Sequence, residues 1–173
     1  QFKTIDDIGI IGLPNSVKSS LLAAITNATP KIANYEFTTL NPNLGVVSYD
    51  NKEITIADIP GLIEGAHEGT GLGTKFLKHI ERCKSILHLI DITNENLNKS
   101  YNQVKNELKN YSSQLMKKKE LIVLNKTDLM NEETTKKIVK EFSKNKNCEV
   151  LTLSTIKKES VSKIKAKLIS YVS

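Results

Sequence analysis

The chain has 173 residues, 39% hydrophobic and 25% charged, with 25 basic residues against 19 acidic ones and a net charge of +6. That length supports one domain with a single buried core, and the longest apolar runs, such as residues 86–90, are far too short to span a bilayer. The positive excess would favour contact with RNA or another polyanion, though composition alone favours a solvated lysine-rich surface, and with Arg82 the one arginine, bidentate base-reading contacts are scarce.

The elements alternate along the chain. Ile8 to Ile11 is a short apolar run ending at Gly12, followed by a helical pattern through Leu21, Leu22 and Ile25. Val46-Val47 and the run from Ile54 to Ala57 flank Asp50-Asn51 and predict a hairpin. Ile86 to Ile90 and Leu121 to Leu124 have the composition of strands buried on both faces of a parallel sheet. Tyr101, Val104, Leu108, Tyr111 and Leu115 step by three and four, Val150 to Leu153 is a sixth strand, and Val161, Ile164, Leu168 and Val172 form a last amphipathic helix. The pattern predicts an α/β fold of three layers, with a six-stranded, mostly parallel sheet containing one antiparallel strand, as a single domain over residues 1–173. In such sheets ligands bind beyond the carboxyl ends of the strands.

Cys83 and Cys148 make no metal-ligand spacing with each other or with His67, His79 and His88, and read as reduced thiols. No basic start followed by an apolar stretch marks a signal peptide. The chain opens at Gln1 without a methionine, so it reads as a piece of a longer protein. All four prolines occur by Pro60 and all eight glycines by Gly73, so the loops with special backbone needs lie in the first part of the chain.

Those loops carry the chemistry. Gly12-Leu13-Pro14-Asn15-Ser16-Val17-Lys18-Ser19, with Ser20 after it, joins a strand to a helix in the manner of the phosphate-binding pattern G-x-x-x-x-G-K-[ST]. Its backbone N–H groups and helix N-terminus would surround phosphates, with Lys18 on the β- and γ-phosphates and Ser19 on Mg2+. Asp58-Ile59-Pro60-Gly61 has the D-x-x-G form, in which the carboxylate orients a water on Mg2+ and the glycine N–H senses a γ-phosphate. Asn125-Lys126-Thr127-Asp128 has the N-K-x-D form, whose carboxylate accepts from guanine N1 and N2, donors that adenine does not offer. Ser154-Thr155-Ile156, after the last strand, can bring backbone donors to guanine O6. Phe37-Thr38-Thr39 is a switch candidate whose second threonine completes a Mg2+ shell. Any one of these tetrapeptides is also an ordinary turn. Their order, each at a strand terminus or its following loop, points to a guanine-nucleotide site.

The segment from Lys31 to Val47, with Phe37-Thr38-Thr39 and Pro42-Asn43-Leu44-Gly45, resembles switch I of the Obg family of GTPases. So does the stretch from Asp58 to Asp91, with Leu62-Ile63-Glu64-Gly65-Ala66, Gly71-Leu72-Gly73 and His79-Ile80-Glu81-Arg82. The similarity covers about residues 7 to 170. The related Drg branch fits the Pro-Asn-Leu-Gly and His-Ile-Glu-Arg segments less well.

The resemblance implies an isolated Obg-type G domain, without the family's glycine-rich N-terminal domain or a C-terminal extension. It implies a P-loop GTPase that binds GTP and GDP with Mg2+ and hydrolyses GTP slowly, with Lys18, Thr39 and Gly61 as the catalytic set and Ser19, Thr39 and, through water, Asp58 at the metal. It further implies a monomer without membrane insertion that acts with the large ribosomal subunit, its rRNA and proteins, in assembly or stress control. The location would be the cytoplasm or an organelle with its own ribosomes. The segment from Gly61 to Gly73, switch II, is expected to be mobile without γ-phosphate, because ordering so many glycines is costly.

Leu62 follows Gly61, so no glutamine stands there to orient the attacking water. Asn15 matches a loop asparagine that helps hold K+ in related potassium-dependent GTPases, and a helix cap is the equal alternative. Two residues depart from the family: Glu36 replaces a proline, loosening switch I, and Val17 replaces the second loop glycine. A β-branched residue forced into a glycine conformation costs on the order of 1–3 kcal/mol. The rival readings are therefore a degenerate G domain with weakened nucleotide binding that acts as a scaffold, and a P-loop kinase or ATPase, which Asn125, Lys126 and Asp128 disfavour.

Overall fold

The computed structural model describes residues 7–12, 18–26, 31–32, 43–58, 81, 83–111, 113–144 and 146–172. The strand β6 (Lys119–Asn125) explains the layering best. It is buried without interruption from Leu121 to Asn125. Leu121 and Val123 enter one apolar cluster, while Ile122 and Leu124 enter another. This is the period-2 alternation of a strand covered on both faces.

The sheet order is β2-β3-β4-β1-β5-β6-β7, with β1 Ile8–Ile11, β2 Lys31–Ile32, β3 Asn43–Tyr49, β4 Lys52–Asp58, β5 Ser85–Asp91 and β7 Glu149–Thr152. All the strands expected from the sequence are present, and β3 is the antiparallel one. The two-residue β2 joins β3 antiparallel at the edge and was not foreseen, because a strand of that length has no readable period. The hairpin turn between β3 and β4 places Asp50 at φ 52° and Asn51 at φ 62°. Positive φ at both central residues is what a two-residue hairpin of the right twist requires, and Asp and Asn tolerate it.

The helices α1 (Lys18–Ile25) and α5 (Lys158–Val172) cover one face, where Leu21, Leu22 and Ile25 meet Ile164, Leu168 and Ile169 over β1, β3 and β4. On the other face lie α2 (Leu97–Tyr111) and α4 (Glu132–Ser143), with the single turn α3 (Ser113–Met116) between them in the chain. The sequence reading had not singled out α4. Its signals are the cap at Asn131, whose side chain accepts from Thr134 N, and the buried Phe142 one turn after Ile138.

A polar cluster braces β5 to β6 beneath α2. His88, fully buried, stacks on Tyr101 at 5.2 Å, and its Nδ1 lies 3.0 Å from Glu120 Oε2. Glu120 Oε1 accepts from Tyr101 Oη at 3.2 Å and from Lys105 Nζ at 3.1 Å. Burial lowers the His88 pKa despite Glu120, so the neutral ring donates from Nδ1. Burial also opposes the charge on Glu120, but the His88 hydrogen bond and the Lys105 ammonium outweigh it and hold this carboxyl down at about 2.

Gly45 of β3 sits directly under α1. A Cβ there would fall into Thr26 Cγ2, with Leu22 Cδ1 only 3.3 Å away. Thr26 cannot rotate aside cheaply, since its Oγ1 donates to Leu22 O at 2.8 Å. Gly45→Ala is expected to cost about 1–3 kcal/mol, as overpacked cores do. Thermal melting should show a fall of roughly 2–4 °C per kcal/mol, and an unchanged midpoint would show that α1 shifts freely on the sheet.

Candidate nucleotide-binding site

Parallel pairing brings the carboxyl ends of β4, β1, β5, β6 and β7 to one edge, with Ile10 beside Asp58, Asp91 beside Asn125 and Leu124 beside Thr152. The chain leaves β1 toward β3 and β4 on one side, and β5 lies on its other side. The reversal of strand order falls at β1, the place where open α/β sheets hold ligands. Gly12 is buried immediately after β1, and Lys18, Ser19 and Ser20 form the first turn of α1. Asp58 is the last residue of β4. Leu13 to Val17, Phe37 to Thr39, Ile59 to Gly61 and the remainder of the expected switch II to Gly73 lie outside the described residues.

The loops after β6 and β7 are described in full and form one unit. Asn125 closes β6, with only 3% of its surface exposed, and its Oδ1 has no partner among the described residues. Lys126 follows in the left-handed region at φ 67°, ψ 33°, a conformation that costs a non-glycine residue on the order of 1–3 kcal/mol. It turns the chain into a single 3-10 turn, Thr127–Leu129, and lets Thr127 N donate to Leu153 O at 3.2 Å. Leu153 N in turn donates to Leu124 O at 2.9 Å, extending the β6–β7 pairing past the end of β7. Ser154 is buried, and its Oγ donates to Asp128 Oδ1 at 2.9 Å while its N–H donates to Ser160 Oγ at 2.9 Å.

Asp128 is thereby aimed but not consumed. It is exposed, and Oδ2 has no partner among the described residues. Leu129 and Ile156, beside the two motifs in the chain, are 64% and 74% exposed. A carboxylate with one oxygen fixed and one open among the described residues, in a loop that also carries the exposed Leu129, suits a flat heterocycle that presents N–H donors at its edge.

One member of the site escaped the sequence reading. Asp91 ends β5 and its Oδ2 accepts from Lys126 Nζ at 2.8 Å. Its Oδ1 accepts from Thr93 N at 2.9 Å and Thr93 Oγ1 at 2.6 Å. Burial works to raise the Asp91 pKa, but the Lys126 and Thr93 hydrogen bonds outweigh it and hold the carboxyl below its ordinary range. The available signal in the sequence was only a carboxylate ending a buried apolar strand; its pairing with Asn125 of the N-K-x-D motif appears with the register. Among the described residues no group of three or more His, Cys, Asp or Glu side chains could hold a metal, and no helix is long and apolar enough to cross a membrane. Cys83 and Cys148 are not joined in a disulfide.

Residues 7–126 match the family model described as 50S ribosome-binding GTPase. The chain is 72% identical, over its full length, to GTPase Obg of Pelagibacter ubique, and 52% identical over 164 residues to GTPase Obg of Rickettsia felis. It spans about half the length of these curated relatives, 53% and 50% respectively. Among solved structures, the G domain of the T. maritima FeoB iron transporter superposes with a TM-score of 0.66 at 20% identity, covering 98% of this chain and 99% of that one. That likeness is one of fold.

Ser154→Ala removes the hydroxyl that orients Asp128 and leaves the backbone ties in place. Loss of one hydrogen bond to a charged group is worth about 1.5–3 kcal/mol, discounted here because Asp128 is exposed. GDP affinity measured by calorimetry should fall about three- to tenfold, with little change in the melting temperature of the ligand-free domain. Unchanged affinity would mean that Asp128 is oriented without Ser154.

Proposed function

The chain belongs to the Obg family of 50S ribosome-binding GTPases, and from that premise we propose that it is a guanine-nucleotide switch that binds GTP and GDP and hydrolyses GTP slowly. The observation that carries the reading is the Ser154–Asp128 pair beside the left-handed Lys126 and the orphaned Asn125 Oδ1. Asp128 accepts from guanine N1 and N2. An adenine ring would leave that carboxylate facing an acceptor and a C–H, which is the basis of the discrimination.

On the phosphate side, the loop from Gly12 through Leu13, Pro14, Asn15, Ser16 and Val17 to Ser20 surrounds the phosphates, with Lys18 neutralising the β- and γ-oxygens. Thr38 and Thr39, after Phe37, and Gly61, after Ile59 and Pro60, respond to the γ-phosphate. Thr155 and Ile156 line the base. The donor set of Ser19, Thr39 and Asp58 is all oxygen and suits Mg2+, and Asp58 ends β4 directly beside the strand that leads to Ser19. When bound, the ion neutralises charge that develops between the β- and γ-phosphates. By its place in the sequence of the loop, Asn15 would help hold K+, which would supply the share of charge neutralisation that an arginine otherwise supplies.

The switch acts in the cytoplasm, as a monomer, on the large ribosomal subunit. Support for the ribosomal part comes from the family description and from the +6 charge, which favours an RNA partner.

Calorimetric titration with GDP, GTP and ATP, followed by phosphate release in K+ and in Na+ buffers, tests the reading. Guanine nucleotides should bind and ATP should not, with slow release that is faster in K+. Equal binding of ATP would overturn the guanine reading, and equal rates in the two buffers would remove the K+ role. Val17→Gly reports on the phosphate loop separately. If valine strains the loop, the glycine variant binds GDP about ten- to a hundredfold more tightly. Affinity equal to that of the present sequence would mean that the loop accommodates Val17.

A further inference from the structure

Lys126 occupies the centre of the N-K-x-D loop, yet its ammonium is not left to find the ligand unaided. Its Nζ is 2.8 Å from Asp91 Oδ2, and the other Asp91 oxygen is held by two donors from Thr93. Both carboxylate oxygens of Asp91 are therefore held by groups of the chain itself. Backbone geometry supports it, since Ile92 N donates to Asn125 O at 3.0 Å and ties the same two strand ends together. The lysine thus has its backbone fixed at φ 67° by the loop and its head fixed by β5. Its four-carbon stem must bridge from β6 to β5 between those two points, beside Asp128.

We propose that Asp91 is a positioning residue for the guanine site, anchoring Lys126 so that its apolar stem is laid out in advance as a surface for the purine ring. The inference rests on the guanine-nucleotide reading given above. A free lysine loses much rotamer freedom on being pinned against a ligand. An ion pair present before binding removes most of that cost from the binding step. Asp91 does not touch the ligand; it acts through Lys126. The pair is partly shielded, with side-chain exposures of 34% for Lys126 and 15% for Asp91, so its effect falls between that of an open surface pair and a buried charged hydrogen bond.

The competing role for Asp91 is purely structural, as the acceptor that turns the chain after β5 onto Thr93. Asp91→Asn separates the two, because the amide oxygen still accepts from Thr93 while the charge facing Lys126 is gone. We expect GDP affinity in Asp91→Asn to fall about three- to tenfold, with the melting temperature of the ligand-free domain unchanged. IDP lacks the exocyclic amine that Asp128 reads, and its affinity should fall by the same factor, since the loss concerns the ring face and not its edge. In a Lys126→Met background the Asp91→Asn change should have no further effect on GDP binding. Asp91→Ser, a second uncharged variant that keeps an acceptor for Thr93, supplies the same comparison if the Asn variant does not fold. Full GDP affinity in the uncharged variants overturns the proposal, as does an equal loss with and without Lys126. A wild-type domain that binds no guanine nucleotide overturns the functional reading itself and is distinguished by the wild-type titration alone.

Discussion

The parallel hydrogen-bond ladder through β4, β1, β5, β6 and β7 is the constraint on which everything else depends. Parallel strands need crossovers, and the crossover helices cover both faces, so the strand interiors must be apolar. Ile8 to Ile11 and Leu121 to Leu124 obey that demand without exception. Polar chemistry is thereby pushed to the last position of each strand or the first one beyond it. Asp58, Asp91 and Asn125 are all terminal residues of their strands, and register sets the latter two side by side. The His88–Glu120 cluster is a polar exception inside the sheet, tolerated because four protein groups satisfy its carboxylate, Cys148 Sγ being the most distant at 3.8 Å.

At the proposed guanine edge the fold maintains a conformation that Lys126 would not adopt alone. Its left-handed backbone is an unfavourable choice for a side chain of that length, and the neighbours over-determine it. Thr127 is tied to Leu153, Leu153 to Leu124, and Lys126 Nζ to Asp91. Each bond contributes of order 1 kcal/mol net, so a few of them are enough to offset the strain. In the proposed base site Asp128 thus retains an open oxygen and Asn125 a buried Oδ1, both without a partner among the described residues. Pre-arrangement of that kind favours specificity, because a ligand that fails to satisfy those atoms leaves them desolvated and unpaired.

Much of this was legible in the chain. The buried strands declared themselves by composition, the hairpin by Asp50-Asn51, and the loops on which the proposed guanine site rests by their place at the ends of β6 and β7. What was not legible depended on partners distant in sequence. Asp91 looks like any strand-ending carboxylate until β5 and β6 are put in register, 34 positions apart at Asp91 and Asn125. The two residues of β2 carry no period, and α4 has a polar majority, from which only its apolar Ile138, Val139 and Phe142 turn inward. The phosphate-side residues from Leu13 to Val17 remain known by pattern, outside the described structure.

Gly45 shows how a motif can carry family likeness for a reason unrelated to ligand chemistry. Pro42-Asn43-Leu44-Gly45 is among the segments that resemble switch I, and a binding role would be the natural assumption. The structure gives Gly45 a packing role instead, as the place where α1 approaches β3 closely enough that Thr26 and Leu22 leave no room for a Cβ. The helix seated there is the one whose first turn holds Lys18, Ser19 and Ser20. Its seating against β3, with Leu21, Leu22 and Ile25 in the cluster shared with Val47 and Ile56, decides where that turn lies relative to the end of β1. Close packing makes such a contact stiff, so the seating of the helix that begins at Lys18 depends on Gly45. The same logic holds at the other end of the proposed site, where Asp91, outside the proposed ligand contacts, fixes the head of Lys126.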